Sequence, residues 1–374
     1  MAKTLSNGFR NSPEWGSSFI IVPWQQYLFS GDVSLLRTYY QSMKKYVAFL
    51  STTAKNNIIP TGLGDWYDMG PKEPWGSQLT PVSLTATAIY YYDNWILAQT
   101  ARLLNKPYEA KQFDQLASDI RTAFNKEFYN SEKGQYATGS QTANAMPLAL
   151  NIVEPQNRKS VIEAVVADIR KRGNALTSGD VGYRFLLSAL AMEGYSNVIY
   201  DMNNQSERPG YGYQLKMGAT SLTEKWNASV GSFGSQNHFM LGQINEWFFH
   251  DLAGIGVEPD GAGFRKTVIK PVVTGDLTWV KGFYQSVSGL IKSEWNIDKS
   301  IFTLDVTIPA NTSAIVYIPI DKESNSTESN KQAIHSDGVQ FIKFENGSAL
   351  YEVASGNYHF VSKIKSHDSI KLPN

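Results

Sequence analysis

The chain has 374 residues with 34 basic and 34 acidic side chains, no cysteine, 42% hydrophobic and 18% charged residues. That length allows one to three domains around a large core, and the composition is that of a folded chain. Zero formal net charge offers no basic field to nucleic acid or anionic lipid, no apolar run of about 18 residues is present to span a bilayer, and the absence of Cys removes disulfides, thiolate metal sites and cysteine nucleophiles.

The first residues, Met-Ala-Lys-Thr-Leu-Ser-Asn-Gly, lack the apolar stretch of a secretory signal, and the compartment stays open. From residue 17 to about 253 the pattern is helical. After Ser30-Gly-Asp32, the residues Leu35, Leu36, Tyr39, Tyr40, Met43, Tyr46, Val47 and Leu50 fall at helical offsets, with Asp32 or Ser34 as the cap. Asn56 to Pro81, rich in Gly, Pro and Asp, reads as a long ordered loop, and such loops inside compact domains are usually functional. Helices are predicted at Val82–Leu104, Tyr108–Phe128, Gln141–Asn151, Asn157–Arg172, Val181–Met192, Tyr195–Met202 and Gln236–Ala253. Most are joined by short loops, as in stacked helical hairpins or an α/α barrel. No clear repeat marks a solenoid. Near residue 257 the pattern changes to short alternating runs: Thr267–Val273, Leu277–Tyr284, Gly289–Ile297, Phe302–Ile308 and Ser313–Ile318. A polar loop at Asp321–Lys331 follows, then Gln340–Glu345, Ser348–Val353 and Asn357–Ile364. The expected fold is therefore mainly α, a helical α/α-barrel domain over 1–256 followed by an antiparallel β-sandwich over 257–374.

Nine Trp, 20 Tyr and 18 Phe give this chain many flat faces. Many stand beside Gly, Asp, Glu and Asn, which suits stacking on the C–H faces of sugars, although ordinary core packing would use the same residues. Cleaving a glycosidic bond requires two carboxyl groups, one to protonate the leaving oxygen and one to activate water on the opposite face. The first candidate is Glu224 in Thr220-Ser-Leu-Thr-Glu-Lys-Trp226, between Arg208-Pro-Gly-Tyr-Gly-Tyr213 and the Gly/Ser-rich stretch 229–235. Its plain alternative is a surface pair with Lys225. His238, at the start of the last predicted helix, is placed to bond a hydroxyl or to cap that helix. Asp65 and Asp68 bracket Trp66 in Gly64-Asp-Trp-Tyr-Asp, with Pro74-Trp75-Gly76 nearby, and suit vicinal hydroxyls or tight turns. Glu14 in Pro13-Glu-Trp15-Gly is either a sugar contact or a favourable charge at a helix start. Thr177-Ser-Gly-Asp180 reads as an N-cap. No Ser-His-Asp order, phosphate-binding loop, dinucleotide fingerprint or His-x-x-x-His pair is present, and no metal or other cofactor is expected.

These motifs, with Ser-Leu-Thr-Ala-Thr-Ala-Ile-Tyr-Tyr-Tyr-Asp93, Ser178-Gly-Asp-Val-Gly-Tyr and Pro209-Gly-Tyr-Gly-Tyr, resemble in kind and order those of the bacterial inverting α-L-rhamnosidases over about residues 8 to 318. The resemblance implies an (α/α)6 barrel followed by a β-sandwich, and release of terminal α-L-rhamnose without a cofactor. It implies the general base at Glu224, rhamnose-walling tryptophans at Trp15 and Trp66, and a sugar contact at His238. Asp65 and Asp68 fall in the matching loop, and Glu14, Trp75 and Trp226 join the implied binding set. The family's general acid and further rhamnose-binding acids lie upstream of Pro-Glu-Trp-Gly, where only twelve residues remain and none matches. Ser17 also replaces an Asp common there. The chain is therefore expected to lack the first barrel helices and to have impaired turnover unless an acid such as Glu14 or Asp65 substitutes. A non-catalytic rhamnose-binding remnant and a trehalase-like or glucoamylase-like enzyme are the competing readings, the latter disfavoured by the paired Thr-Glu-Lys-Trp and Pro-Glu-Trp-Gly motifs.

Overall fold

The computed structural model describes residues 12–73, 75–321 and 325–365. The N-terminal segment read for a signal, Pro74, and part of the polar loop read over Asp321–Lys331 lie outside them. The chain divides into two compact units. One comprises residues up to Trp24 together with Ser34–Ile244; the other comprises Gln25–Val33 together with Asn245 onward. The sequence placed a single boundary at 256/257 instead.

The helical unit contains α1 (Pro13–Gly16), the first part of α2 (Ser18–Ser30), α3 (Ser34–Thr53), α4 (Val82–Leu103) and α5 (Pro107–Phe128). A two-stranded ribbon, β1 (Tyr129–Asn130) with β2 (Gln135–Tyr136), leads into α6 (Gln141–Ala149), α7 (Arg158–Lys171), α8 (Gly182–Met192), α9 (Ser196–Asn203) and α10 (Tyr211–Lys216). In α3 the buried stripe is Leu36, Tyr40, Met43, Val47 and Leu50, spaced four and three apart as one helix face demands. Leu35 and Tyr39, read into that stripe from sequence, face solvent. Helix α4 packs against α3 and α5 and is buried almost all round. Helix α6, capped where the Ser140 hydroxyl accepts the Ala143 N–H at 3.2 Å, is enclosed by α7 and α8.

The helix predicted over Gln236–Ala253 is broken into a 3₁₀ turn (Phe239–Gln243), a single α-turn, α11 (Ile244–Trp247), and a π-turn (Phe248–Leu252). Its start is pre-empted by extended pairing: His238 N–H donates to Leu222 O at 2.8 Å, and Glu224 N–H donates to Ser235 O at 3.0 Å. Residues 235–238 therefore cannot begin a helix. Helix α10 (Tyr211–Lys216), by contrast, is absent from the helices predicted from sequence.

The second unit contains β3 (Ile255–Val257), β4 (Lys266–Ile269), β5 (Trp279–Ser286), β6 (Gly289–Asp298), β7 (Ile301–Ile308), β8 (Ser313–Pro319), β9 (Thr327–Glu328), β10 (Lys331–Gln332), β11 (Val339–Glu345), β12 (Ser348–Val353) and β13 (Gly356–Lys363). They form a six-stranded sheet ordered β10-β9-β13-β7-β6-β5 and a five-stranded sheet ordered β11-β12-β8-β4-β3. Phe302, Leu304, Val306 and Ile308 of β7 alternate inward, as do Ala314, Val316 and Ile318 of β8, and together they form the unit's core. One departure from the expected antiparallel pairing is β4 against β8, which run parallel. The chain between them passes through β5, β6 and β7 of the other sheet and returns in the same direction. From Gln25–Val33, Phe29 packs edge-on to Phe264 and Tyr284, with ring centroids 5.7 and 6.0 Å away.

Candidate active site

The Gly64–Asp68 turn and the Thr177–Gly182 segment, more than a hundred residues apart, are fastened to each other. Asp65 accepts the Thr142 hydroxyl at 2.5 Å, the Gly179 N–H at 2.9 Å and the Gly182 N–H at 2.7 Å. The backbone adds Asp180 N–H to Trp66 O at 2.7 Å and Met69 N–H to Thr177 O at 2.9 Å. Both glycines are dictated by space. A Cβ at 179 would lie 2.0 Å from Trp66 O, and one at 182 would lie 1.9 Å from Thr142 Oγ1. Between the pins, Tyr67 adopts φ +59°, a left-handed conformation that a side chain bearing a Cβ takes only when its surroundings enforce it.

Glu224 lies on an extended segment paired with Ser235–His238. Its Oε2 accepts the Ser235 N–H at 2.8 Å, and its Oε1 stands 3.6 Å from His238 Nδ1. Both side chains are half-buried. The Tyr67 hydroxyl and the Glu224 carboxylate both flank Gly234, and burial together with the charges of Glu224 and Asp180 raises the Tyr67 pKa. Lys225 turns the opposite way, into the protein, and pairs with Glu73; the surface Glu224–Lys225 pair therefore does not form.

Beside these polar groups lies a continuous aromatic wall. Trp15 meets Trp66 edge-on at 6.5 Å, Trp66 meets Trp75 at 5.7 Å, Tyr67 meets Trp75 at 6.2 Å, and Trp75 meets Phe233 at 5.4 Å. Trp15, Trp75 and Phe233 are exposed. Indole faces next to a carboxylate and an imidazole form a surface that can stack a sugar ring and bond its hydroxyls.

Sequence reasoning passed over Asp180, treating it as a cap. The capping position of α8 is Val181, with no side-chain cap bond. Asp180 is 3% exposed, its Oδ1 has no hydrogen-bond partner, and it lies with Glu224 and His238 such that one donor atom of each falls within 4.8 Å of the others. Burial first, then the charges of Asp65 and Glu224, push its carboxyl up to about 8. Two carboxyls and an imidazole at this spacing are also a donor set of the kind that holds cations, and binding one would require Asp180 to give up its proton. Nothing local distinguishes this Asp from a cap. The only sequence signal was its place between two glycines.

Four residues of the expected binding set have other work. Trp226 is 0% exposed; its indole N–H donates to Ser178 O at 2.8 Å, and Tyr183 and Tyr211 pack on it at 4.8 and 5.1 Å, so no face is left for a sugar. Asp65, fully buried and raised to about 6 by that burial, is consumed by its three donors. Asp68, also buried, accepts the Gln78 and Leu79 N–H groups at 2.8 and 2.6 Å and closes a turn. Glu14 accepts the Ser12 and Thr85 hydroxyls at 2.5 and 2.7 Å and the Gly64 N–H at 3.1 Å, tying the loop to α1 and α4. These acids were legible as special residues, but their partners are backbone groups and hydroxyls of the protein itself. The Ser17 hydroxyl donates to the buried Asp93 at 2.5 Å. The β-rich unit holds a hollow of about 230 Å³ lined by Ile334, Phe341, Phe344 and Tyr351 among others, with no carboxylate or imidazole in its wall.

Residues 2–252 match the family described as the bacterial alpha-L-rhamnosidase 6 hairpin glycosidase domain, and residues 256–333 match the bacterial alpha-L-rhamnosidase C-terminal domain. An alpha-L-rhamnosidase of Formosa agariphila is 28% identical over 367 residues, which cover 96% of this chain and 39% of that protein. The structure of the Dictyoglumus thermophilum alpha-L-rhamnosidase superimposes with a TM-score of 0.86 at 30% identity, covering 94% of this chain and 40% of the other. That of the Streptomyces avermitilis enzyme, complexed with L-rhamnose, gives 0.85 at 28% identity, covering 94% and 33%. The chain thus spans between a third and two-fifths of the length of these relatives. With a helical unit that matches the six-hairpin glycosidase domain over residues 2–252 and a β-rich unit after it that matches the C-terminal domain, this chain belongs to the bacterial α-L-rhamnosidase family.

Proposed function

We propose that Glu224 is the general base of an inverting α-L-rhamnosidase site, with Trp15, Trp66 and Trp75 walling the sugar and His238 bonding one of its hydroxyls. The observation that carries this reading is the placement of Glu224, fixed by the Ser235 N–H beside His238 and the aromatic wall yet still part-exposed. In the reaction, a water oxygen bonds to the anomeric carbon as the glycosidic C–O bond breaks on the opposite face. Glu224 takes the water's proton, and a second acid gives one to the departing oxygen. The products are rhamnose of inverted configuration and the free alcohol.

Such a pair of carboxyls stands roughly 6.5–9.5 Å apart. Asp180, with an oxygen within 4.8 Å of Glu224, is too close to be that second acid. Glu14 and Asp65, the substitutes considered from sequence, are turned inward. This observation supports the second reading, a chain that binds rhamnose without cutting ordinary rhamnosides. An aryl α-L-rhamnoside with a good leaving group separates the two readings, because it demands little of the acid. Turnover that falls by about 10²–10⁴ in Glu224→Gln supports the base assignment; an unchanged rate sinks it. Rhamnose binding by calorimetry with no turnover on any glycoside favours the second reading.

A further inference from the structure

We propose that Asp180 is a positioning residue for Glu224: the two carboxyls share one proton at neutral pH, held on Asp180, so that Glu224 alone carries the charge that receives a proton from water. The proposal rests on the assignment of Glu224 as base and deepens it.

The geometry leaves Asp180 little choice. Its backbone is fixed on both sides, by its N–H to Trp66 O at 2.7 Å and by its carbonyl, which accepts the Gln243 side-chain N–H at 3.1 Å. The preceding residue can only be glycine, because a Cβ there would strike the backbone of Trp66. The side chain is thus held in place, almost wholly buried, with Oδ1 unpartnered. Groups of ionisable type face it from three segments: Asp65 and Tyr67 from the pinned turn, Glu224 from the extended segment and His238 from the start of the 3₁₀ turn. Asp65 and Glu224, the charges that act on it, are both potential anions. Two carboxyls this close do not ionise independently, and the more deeply buried one keeps the proton. Burial already holds Asp180 near 8, in the direction this sharing requires. A neutral carboxyl in this position is a donor beside an anion, whereas an ionised one would repel it. The reaction itself leaves the Asp180 proton in place; Glu224 takes and later releases the water's proton.

The free protein tests this without any sugar or turnover. The Cε1–H resonance of His238, assigned with His238→Gln, is followed by NMR from pH 5 to 10. The wild type is expected to show the imidazole step and a second, smaller inflection near pH 8. Asp180→Asn, which keeps size and a donor, is expected to remove the second inflection and leave the imidazole midpoint within about 0.3 pH unit, since a neutral group replaces a neutral group. Glu224→Gln is expected to move the second inflection to lower pH by relieving the like charge. An inflection that survives in a folded Asp180→Asn protein overturns the proposal. So does an imidazole midpoint lowered by a full unit in that variant, which would mean Asp180 was ionised all along. Should Asp180→Asn fail to fold, the direction of the shift in Glu224→Gln decides. Failure of the proposed activity would show as wild-type rates in Glu224→Gln on the aryl glycoside, a separate result.

Discussion

Gly179→Ala is the most severe single-methyl change the site offers. A methyl at 179 would stand 2.0 Å from Trp66 O and 2.7 Å from Asp68 N, both backbone atoms that cannot rotate aside. To reach even a tight contact the turn must retreat by roughly 1 Å, and close-packed interiors resist such shifts. Overpacking alone costs about 1–3 kcal/mol. The retreat also stretches two buried hydrogen bonds, Asp180 N–H to Trp66 O at 2.7 Å and Gly179 N–H to Asp65 at 2.9 Å. Each is worth about 1–1.5 kcal/mol if weakened. The expected loss is about 3–6 kcal/mol, a large share of the 5–15 kcal/mol of an ordinary domain. Urea denaturation followed by tryptophan fluorescence measures it. Gly76→Ala serves as the control, since the nearest atom to its added methyl is Trp66 Cζ3 at 3.9 Å; it should change stability by no more than about 0.5 kcal/mol. If Gly179→Ala unfolds at the same urea concentration as the Gly76→Ala control, the pinning of the turn is wrong.

Trp226→Ala should destabilise the helical unit by about 3–5 kcal/mol, because it opens a cavity among Tyr183 and Tyr211 and strands the Ser178 carbonyl; thermal melting would show it, and a protein of unchanged Tm would return this tryptophan to the sugar-binding set. Trp75→Ala, at a residue 55% exposed, should leave stability within about 0.5 kcal/mol while weakening rhamnose binding in calorimetry several-fold; equal affinity would remove Trp75 from the wall. Asp180 is raised in the folded chain to about 8 against about 3.9 unfolded, so the native state holds the extra proton between those values. By linkage its contribution is complete below about pH 4 and is lost as pH rises towards 8. Relative to wild type, Asp180→Asn should therefore gain stability by a few kcal/mol between pH 4 and 8, read from urea curves at several pH values; a pH-independent difference would contradict the assignment.

Much of the fold was legible because it is written in short-range patterns. The stripe of α3 and the alternation of β7 and β8 each follow from one element's own residues. The helix expected over Gln236–Ala253 was misread because the pairing of 235–238 with 222–224 is invisible from within that window. The same limit explains the site. Glu224 and His238 stand out in the sequence by the company they keep, and the tryptophans by the Gly, Asp, Glu and Asn beside them. The inward roles of Asp65 and Glu14 depend on donors 77 to 117 residues and 50 to 71 residues away, respectively. A carboxylate clasped by backbone amides reads the same in one dimension as one awaiting a ligand. Asp180 was missed for the converse reason, since Ser-Gly-Asp before a helix is ordinary capping chemistry.

The clasp between Asp65 and the glycines at 179 and 182 also bears on how the molecule comes into being. Its halves are separated by 114 and 117 positions, and contacts of such range form late, once the intervening helices have closed the loop. During refolding, the far-ultraviolet signal of the helices should recover before protection of the Gly179 and Gly182 amides against hydrogen exchange. A nascent or nicked chain that has made its helices would still lack the join between the Gly64–Asp68 turn and the Thr177–Gly182 segment, which would arrive as a last, all-at-once event.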